Sequence, residues 1–211
     1  MMIYLVRHGE TTWNREHVFR GRKDPPLSEE GERQAALVSR FFSTHEVGKV
    51  YSSPLLRASR TANAIATACG CRAICRHGLT DLDFGEWEGK NLAWVTEHDE
   101  TRYTSYRHSP GLCTIPGGES FKSCYDRVNR TFIEITSNYK AESRNIVVVS
   151  HRVVLKLILI GILGMQFDAF WKIRIDTCSI SEVEKKKEGF VVRGLNARCH
   201  LTDSAAPSID F

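Results

Sequence analysis

No stretch of this 211-residue chain is both long enough and apolar enough to span a bilayer. The most apolar run, Val153 to Leu163, is short and carries Lys156, so a buried helix is expected there rather than an anchor. The N-terminus meets a charge at Arg7, too early for a secretory signal. Internal repeats and low-complexity segments are also lacking. Paired cysteine spacing is missing too. The chain has 7 cysteines, an odd number, and Cys69, Cys71 and Cys75 do not form the C-x-x-C pairs of zinc sites. Reduced thiols, no metal and a cytoplasmic location are therefore expected. Strong charge of one sign is absent: the formal net charge is +4, with basic residues scattered rather than striped. That excludes a nucleic-acid footprint. What is present, 42% apolar and 26% charged residues, is the composition of an ordinary soluble globular protein.

Strand-like runs fall at 2–7, 47–52, 72–76, 145–150, 178–184 and 190–195, and helical patterns at 28–45, 54–68, 118–139 and 152–163. In the helix at 118–139, Phe121, Tyr125, Val128, Phe132 and Ile135 recur at spacings of three and four, a core-facing stripe. Strands alternating with helices predict an α/β three-layer sandwich, a mostly parallel sheet with helices on both faces. Segment 81–117 has little periodicity and is expected to form a small cap over the strand C-terminal ends. The polar tail from Leu201 to Phe211 reads as extended.

The chemistry-bearing residues stand at predicted strand ends. Arg7-His8-Gly9-Glu10 follows the apolar run Ile3-Tyr4-Leu5-Val6, at the edge where open α/β sheets hold ligands. Imidazole is a competent nucleophile, and guanidinium grips phosphoryl oxygens through paired hydrogen bonds. After Val50-Tyr51-Ser52, Ser53 reads as an N-cap and Pro54 as the first helical residue, with Arg57 and Arg60 one turn apart on the helix. Arg57, close to the strand end, is the better ligand candidate, while Arg60 divides evenly between ligand and solvated surface. Asp81, Asp83, Glu86 and Glu88 cluster around Gly85 and Trp87. A leaving alkoxide needs a proton, and one of these carboxyl groups could supply it; the others are expected to be solvated or paired with arginines. Ile146-Val147-Val148-Val149-Ser150-His151 places a second histidine at a helix N-terminus, where backbone N–H groups favour an anion.

Together these segments resemble the histidine phosphatase superfamily, also called the phosphoglycerate mutase-like family. The motifs are Arg7-His8-Gly9-Glu10, Trp13-Asn14, Pro26-Leu27-Ser28-Glu29-Glu30-Gly31, Ser53-Pro54-Leu55-Leu56-Arg57-Ala58, Gly85-Glu86-Trp87-Glu88-Gly89, Pro116-Gly117-Gly118-Glu119-Ser120 and Val149-Ser150-His151. They run in the family's order over nearly the whole chain, which implies one such domain across 1–211. The resemblance implies a metal-independent phosphatase acting on a small phosphorylated metabolite. Arg7, Arg57 and His151 would hold the phosphoryl group, His8 would attack it to form a phosphohistidine, and Asp81 would act as acid and then base. No cofactor, nucleic acid or membrane partner is implied, and a homodimer stays open. Asn14, Arg22 and Glu119 are expected around the substrate.

Two residues depart from the pattern. The proton donor is most often glutamate in the family, whereas Asp81 is one methylene shorter, with Asp83 as the alternative. Arg152 stands where relatives frequently carry a small residue; it either adds charge to the pocket or faces away. The stretch from Asp81 to His151 lacks the longer insertion of mutases, which favours hydrolysis over phosphoryl return. Pro116-Gly117-Gly118-Glu119-Ser120, Ile175-Asp176-Thr177-Cys178-Ser179 and the run from Leu195 to Leu201 are similar to metal-independent phosphoserine phosphatases. Phe84, in place of a polar residue, speaks against that substrate. Ribazole phosphatase, a broad acid-type phosphatase, phosphoglycerate mutase and a non-catalytic phospho-ligand binder are the other readings.

Overall fold

Alternation along the inner strands decides the architecture. In the computed structural model, which describes residues 1–137 and 144–201, strands β1 Met2–Arg7, β2 Val47–Ser52, β3 Ala73–Cys75, β4 Asn145–Ser150, β5 Ile180–Lys186 and β6 Gly189–Ala197 form one sheet. Their order is β3-β2-β4-β1-β5-β6; the first four run parallel, and β5 and β6 add an antiparallel edge. The helices are α1 Thr12–Arg15, α2 Glu29–Phe42, α3 Leu56–Ala68, α4 Leu92–His98, α5 Glu100–His108, α6 Phe121–Ser137 and α7 Arg152–Leu163. Ile3 and Leu5 of β1, with Ile146 and Val148 of β4, pack into one core with Val128 and Phe132 of α6 and Val154 and Leu157 of α7. Tyr4, Val6, Val147 and Val149 face the other way, onto Val38 and Phe42 of α2 and Ala58, Ala62 and Ile65 of α3. Successive side chains of a strand point to opposite faces, so a strand covered on both sides needs a continuous apolar run. The expected sandwich is therefore observed, with helices on both faces.

Register carries this order to the strand ends. Arg7 pairs with Ser150 and Ser52 with Val149, so the residues that follow, His8, His151 and Ser53, emerge side by side. The His8 N–H donates to the Ser150 carbonyl at 3.0 Å, and the Ser53 N–H to that of Val149 at 3.1 Å.

Several boundaries differ from expectation, each for a local reason. Helix α3 begins at Leu56, not at Pro54, and Ser53 is not its cap. The Leu56 N–H is satisfied instead by the carboxylate of Asp24, 32 positions earlier in the chain, at 2.9 and 2.8 Å. Strand β5 starts at Ile180, two residues later than expected, because Cys178 turns the chain at φ 49° and donates its N–H to the Arg7 carbonyl. Helix α6 starts at Phe121, since Pro116-Gly117-Gly118 first folds against Gly85. A Cβ on Gly85, at φ +48°, would lie 2.1 Å from the Pro116 carbonyl oxygen. The segment 81–117, expected as an irregular cap, contains α4 and α5, and the short α1 was not anticipated. Residues 138–139 of the expected helix and 202–211 of the expected tail lie outside the described residues.

Asp24 reaches across the chain to the start of α3, so Asp24→Ala should lower stability by about 1 kcal/mol, the usual loss on removing a cap. Urea unfolding midpoints of the two proteins, compared at equal slope, check this.

Candidate active site

The end of β1 presents Arg7 and His8, both buried. His8 Nδ1 lies 2.6 Å from the Gly9 carbonyl oxygen. A carbonyl only accepts, so Nδ1 carries the proton and Nε2 carries the lone pair. Burial, then the positive charges of Arg57, Arg7 and Arg20, hold the His8 pKa well below its usual range. The ring is therefore neutral at physiological pH and nucleophilic at Nε2. The His151 ring centroid is 5.2 Å from that of His8. His151 shares a 2.8 Å hydrogen bond with the Ser53 hydroxyl through Nε2, so the serine expected as a helix cap positions the second histidine instead. Its Nδ1 is buried, makes no hydrogen bond among the described residues and lies 3.7 Å from Asp81 Oδ2. Burial and the neighbouring Arg57 lower the His151 pKa as well.

Arg57 is completely buried in the first turn of α3. Its two terminal nitrogens donate at 2.8 Å to the carbonyls of Lys23 and Gly21, and Nη2 also lies 3.3 Å from Asp81 Oδ2. These contacts fasten the loop from Arg20 to Asp24 over the strand ends. From the other side, Glu88 accepts the Arg22 N–H at 2.7 Å. Gly21, at φ +51°, is required there, because a Cβ would lie 1.9 Å from Glu88 Oε1. Arg7 donates through Nη1 to the Ile175 carbonyl at 2.6 Å.

The two acids expected to compete for one role are separated. Asp81 is buried beside Arg57 and His151, and its Oδ1 accepts the Leu82 N–H at 3.0 Å. Asp83 turns to Arg22 at 3.1 Å and to the Gly85 N–H. Arg22 also approaches Glu119, 3.6 Å away, and Glu119 is gripped by Arg127 through two bonds of 2.9 and 2.6 Å. Arg22 and Glu119 thus form a half-exposed network with Asp83. Asn14 Oδ1 accepts from the backbone and hydroxyl of Thr11, both at 2.9 Å, and tethers α1. Arg60 faces solvent near Glu32, so the surface reading holds for it. His200 bonds the Cys178 carbonyl and packs on Phe41, outside the cluster.

A pocket opens at this point, lined by His8, Arg20, Asp81, Phe84, Arg152 and neighbouring backbone and valines. Arg152 therefore faces the pocket rather than away from it. Arg20 was not anticipated. No motif marks it; it simply lies in the loop that Arg57 pins down. Its guanidinium is buried, with Nε and Nη1 free of hydrogen bonds among the described residues. Burial and the charges of Arg7, Arg57 and Arg152 press its pKa well down, although a guanidinium keeps its proton in proteins. Among the described residues no group of three or more His, Cys, Asp or Glu gathers as metal ligands, and the cysteines are free. Among the described residues no helix is long and apolar enough to cross a membrane.

A buried histidine pair at the ends of parallel strands, ringed by arginines, defines the class. The chain belongs to the histidine phosphatase superfamily, branch 1, whose family model matches residues 3–198. It is 33% identical over 199 residues to phosphoserine phosphatase 1 of Hydrogenobacter thermophilus, covering 94% of this chain and 93% of that protein. It is 35% identical over 215 residues to a probable phosphoglycerate mutase of Escherichia coli, covering 100% and 98%. Among solved structures, the alpha-ribazole phosphatase from Shigella flexneri superposes with a TM-score of 0.84 at 26% identity, covering 93% of this chain and 96% of that one.

The two histidines give a signed pH dependence of stability. Their folded pKa values lie below the unfolded value of about 6.5, so below that pH the unfolded chain takes up protons that the folded chain refuses. Their contribution is full above about pH 6.5 and is lost as pH falls through the folded values, at up to about 1.4 kcal/mol per pH unit for each site. The urea midpoint should therefore drop between pH 7.5 and pH 5.5, and drop less steeply in His8→Asn. A midpoint that rises on acidification would contradict the assignment of neutral, buried rings.

Proposed function

We propose that the chain is a phosphatase that hydrolyses small phosphomonoesters through a phosphohistidine at His8. One observation carries the reading. Buried polar atoms around the strand ends, His151 Nδ1, Arg57 Nε and Arg20 Nε and Nη1, have no hydrogen-bond partner among the described residues. Buried polar groups are otherwise nearly always paired. A compact, multiply charged anion held against the His8 ring would satisfy them.

The steps follow from charge. The phosphoryl dianion enters among Arg7, Arg57 and His151, which oppose its equatorial charge as a preorganised electrostatic cradle. His8 Nε2 attacks phosphorus in line; the P–N bond forms as the P–O bond to the alcohol breaks. Asp81 gives its proton to the departing alkoxide. Water then attacks phosphorus, its proton passes to Asp81, the P–N bond breaks and inorganic phosphate leaves. The arginines supply the positive charge that a metal ion supplies in other phosphoryl-transfer sites, so metal independence belongs to the same proposal.

A mutase reading has one observation in its favour. The relative named a probable phosphoglycerate mutase is matched over 98% of its length, so it too lacks a long insertion before the second histidine, and chain length does not separate this protein from it. Hydrolysis is preferred because two of the matched proteins, from Hydrogenobacter thermophilus and Shigella flexneri, are named phosphatases. The test is release of inorganic phosphate. The protein should turn over p-nitrophenyl phosphate and alkyl phosphates with stoichiometric phosphate release, whereas isomerisation of 3-phosphoglycerate without release would establish the mutase. Asp81→Asn should slow alkyl phosphates by a factor of order 10²–10⁴, the usual contribution of a positioned acid, and slow aryl phosphates far less. If Asp81→Asn is harmless and Asp83→Asn is crippling, the acid has been misassigned.

A further inference from the structure

The proposed attack needs the His8 ring in one tautomer and one orientation, and a single peptide group sets both. The Gly9 carbonyl that lies 2.6 Å from His8 Nδ1 belongs to the same planar unit as the Glu10 N–H, and in a trans peptide the two point in opposite directions. That N–H donates to Gln34 Oε1 at 3.0 Å. Gln34 is buried in the second turn of α2, and its amide is itself fixed. Its Nε2 donates to Glu30 Oε1 at 3.1 Å, and Arg33 holds the Glu30 carboxylate through bonds of 2.9 and 3.2 Å. An N–H on one side and a carboxylate on the other leave one orientation for the amide. The preceding peptide is held as well. The Gly9 N–H donates to the Thr61 hydroxyl of α3 at 3.1 Å, and that hydroxyl donates to the Arg57 carbonyl at 2.9 Å. The start of α2 lies directly on this segment: the Glu10 carbonyl accepts the Ser28 N–H at 2.9 Å, and a Cβ on Gly31 would lie 2.0 Å from the Glu10 carbonyl oxygen.

We infer that Gln34 is a positioning residue for the nucleophile: through the Gly9–Glu10 peptide it holds His8 as the Nδ1–H tautomer, with the Nε2 lone pair turned to phosphorus. This rests on the proposed phosphohistidine reading and adds the group that prepares its first step. Engaging the peptide N–H polarises the carbonyl and strengthens it as an acceptor. Without that engagement the peptide plane can rotate, and the ring can take its proton on Nε2, where it no longer attacks. Thr61 pins the other side, so the helix that carries Arg57 also restrains the His8–Gly9 peptide. Gln34 does not line the pocket, so its loss acts on rate rather than on substrate affinity. A reacting atom misplaced by about 1 Å can lower the rate by a factor of order 10².

The test pairs kinetics with the tautomer itself. In nitrogen-15-labelled protein, the imidazole resonances that vanish in His8→Asn belong to His8, and in the wild type they should show a proton on Nδ1 and none on Nε2. Gln34→Met keeps the length of the side chain and removes the amide. It should lower kcat for p-nitrophenyl phosphate tenfold or more, with KM within threefold of wild type, and the two His8 nitrogen resonances should move toward each other as the tautomers mix. Gln34→Glu combined with Glu30→Gln exchanges the two partners and keeps an acceptor for the Glu10 N–H. This double variant should return kcat to within threefold of wild type and restore the nitrogen pattern. If Gln34→Met does not fold, Gln34→Asn, the same amide withdrawn by one methylene, should show the same loss and the same mixing. Unchanged kcat, or a lower kcat with the His8 nitrogens as in wild type, overturns the inference and leaves the phosphatase reading intact. A wild-type His8 with its proton on Nε2 also overturns it. A His8 that is Nδ1–H in the wild type and mixed in Gln34→Met, in a protein that releases no phosphate from any phosphomonoester, upholds the positioning and overturns the phosphatase reading instead.

Discussion

Positive charge packed where water is scarce is the constraint on which the rest of this structure depends. Arg7, Arg20, Arg57 and Arg152 are buried around two neutral histidines, and each lowers the proton affinity of its neighbours. Such a cluster survives only if rigid elements hold it and enough acceptors face it. The sheet register supplies the rigidity by ending β1, β2 and β4 together. The carbonyls of Gly21, Lys23 and Ile175, and the carboxylate of Asp81, supply acceptors. What remains unanswered inside the pocket is the share left to a ligand.

The same constraint explains why the loop from Arg20 to Asp24 is so heavily tied. Arg57 holds it from one side and Glu88 from the other, while Asp24 returns the contact by capping α3. Burial raises the pKa of Glu88, partly offset by the backbone donors of Arg22 and Phe84, so this carboxylate too stands on the supporting side of the pocket. Helix start, loop closure and ligand pocket are one unit. A change at Gly21 or Asp24 would therefore reach the site as readily as a change within it.

The fold was legible because two-sided burial writes itself as apolar runs. Ile3 to Val6 and Ile146 to Val149 could be little else, and their burial on alternating faces follows from the pleat. The histidines and Arg57 were legible because they stand at strand and helix termini, where residue type and position coincide. Ser53 misled because a serine before proline looks like a helix cap, whereas its hydroxyl is used by His151 and the cap comes from Asp24, distant in the chain. Helices α4 and α5 were missed because Val95 and Tyr106 are the buried residues of these short elements, too few to set a period. Arg20 left no signal at all. Its importance comes from tertiary burial of a residue type that is usually exposed, and no local pattern records that.

The central claim is that the His8 ring takes the phosphoryl group covalently. Its most direct test is rapid mixing of the protein with a phosphomonoester, alkaline quench and mass spectrometry of the peptides under non-acidic conditions. The account predicts a phosphoryl adduct on His8, stable in base and lost in acid, that forms and decays at rates compatible with turnover. Turnover with no such adduct, or an adduct carried by another residue, would contradict it.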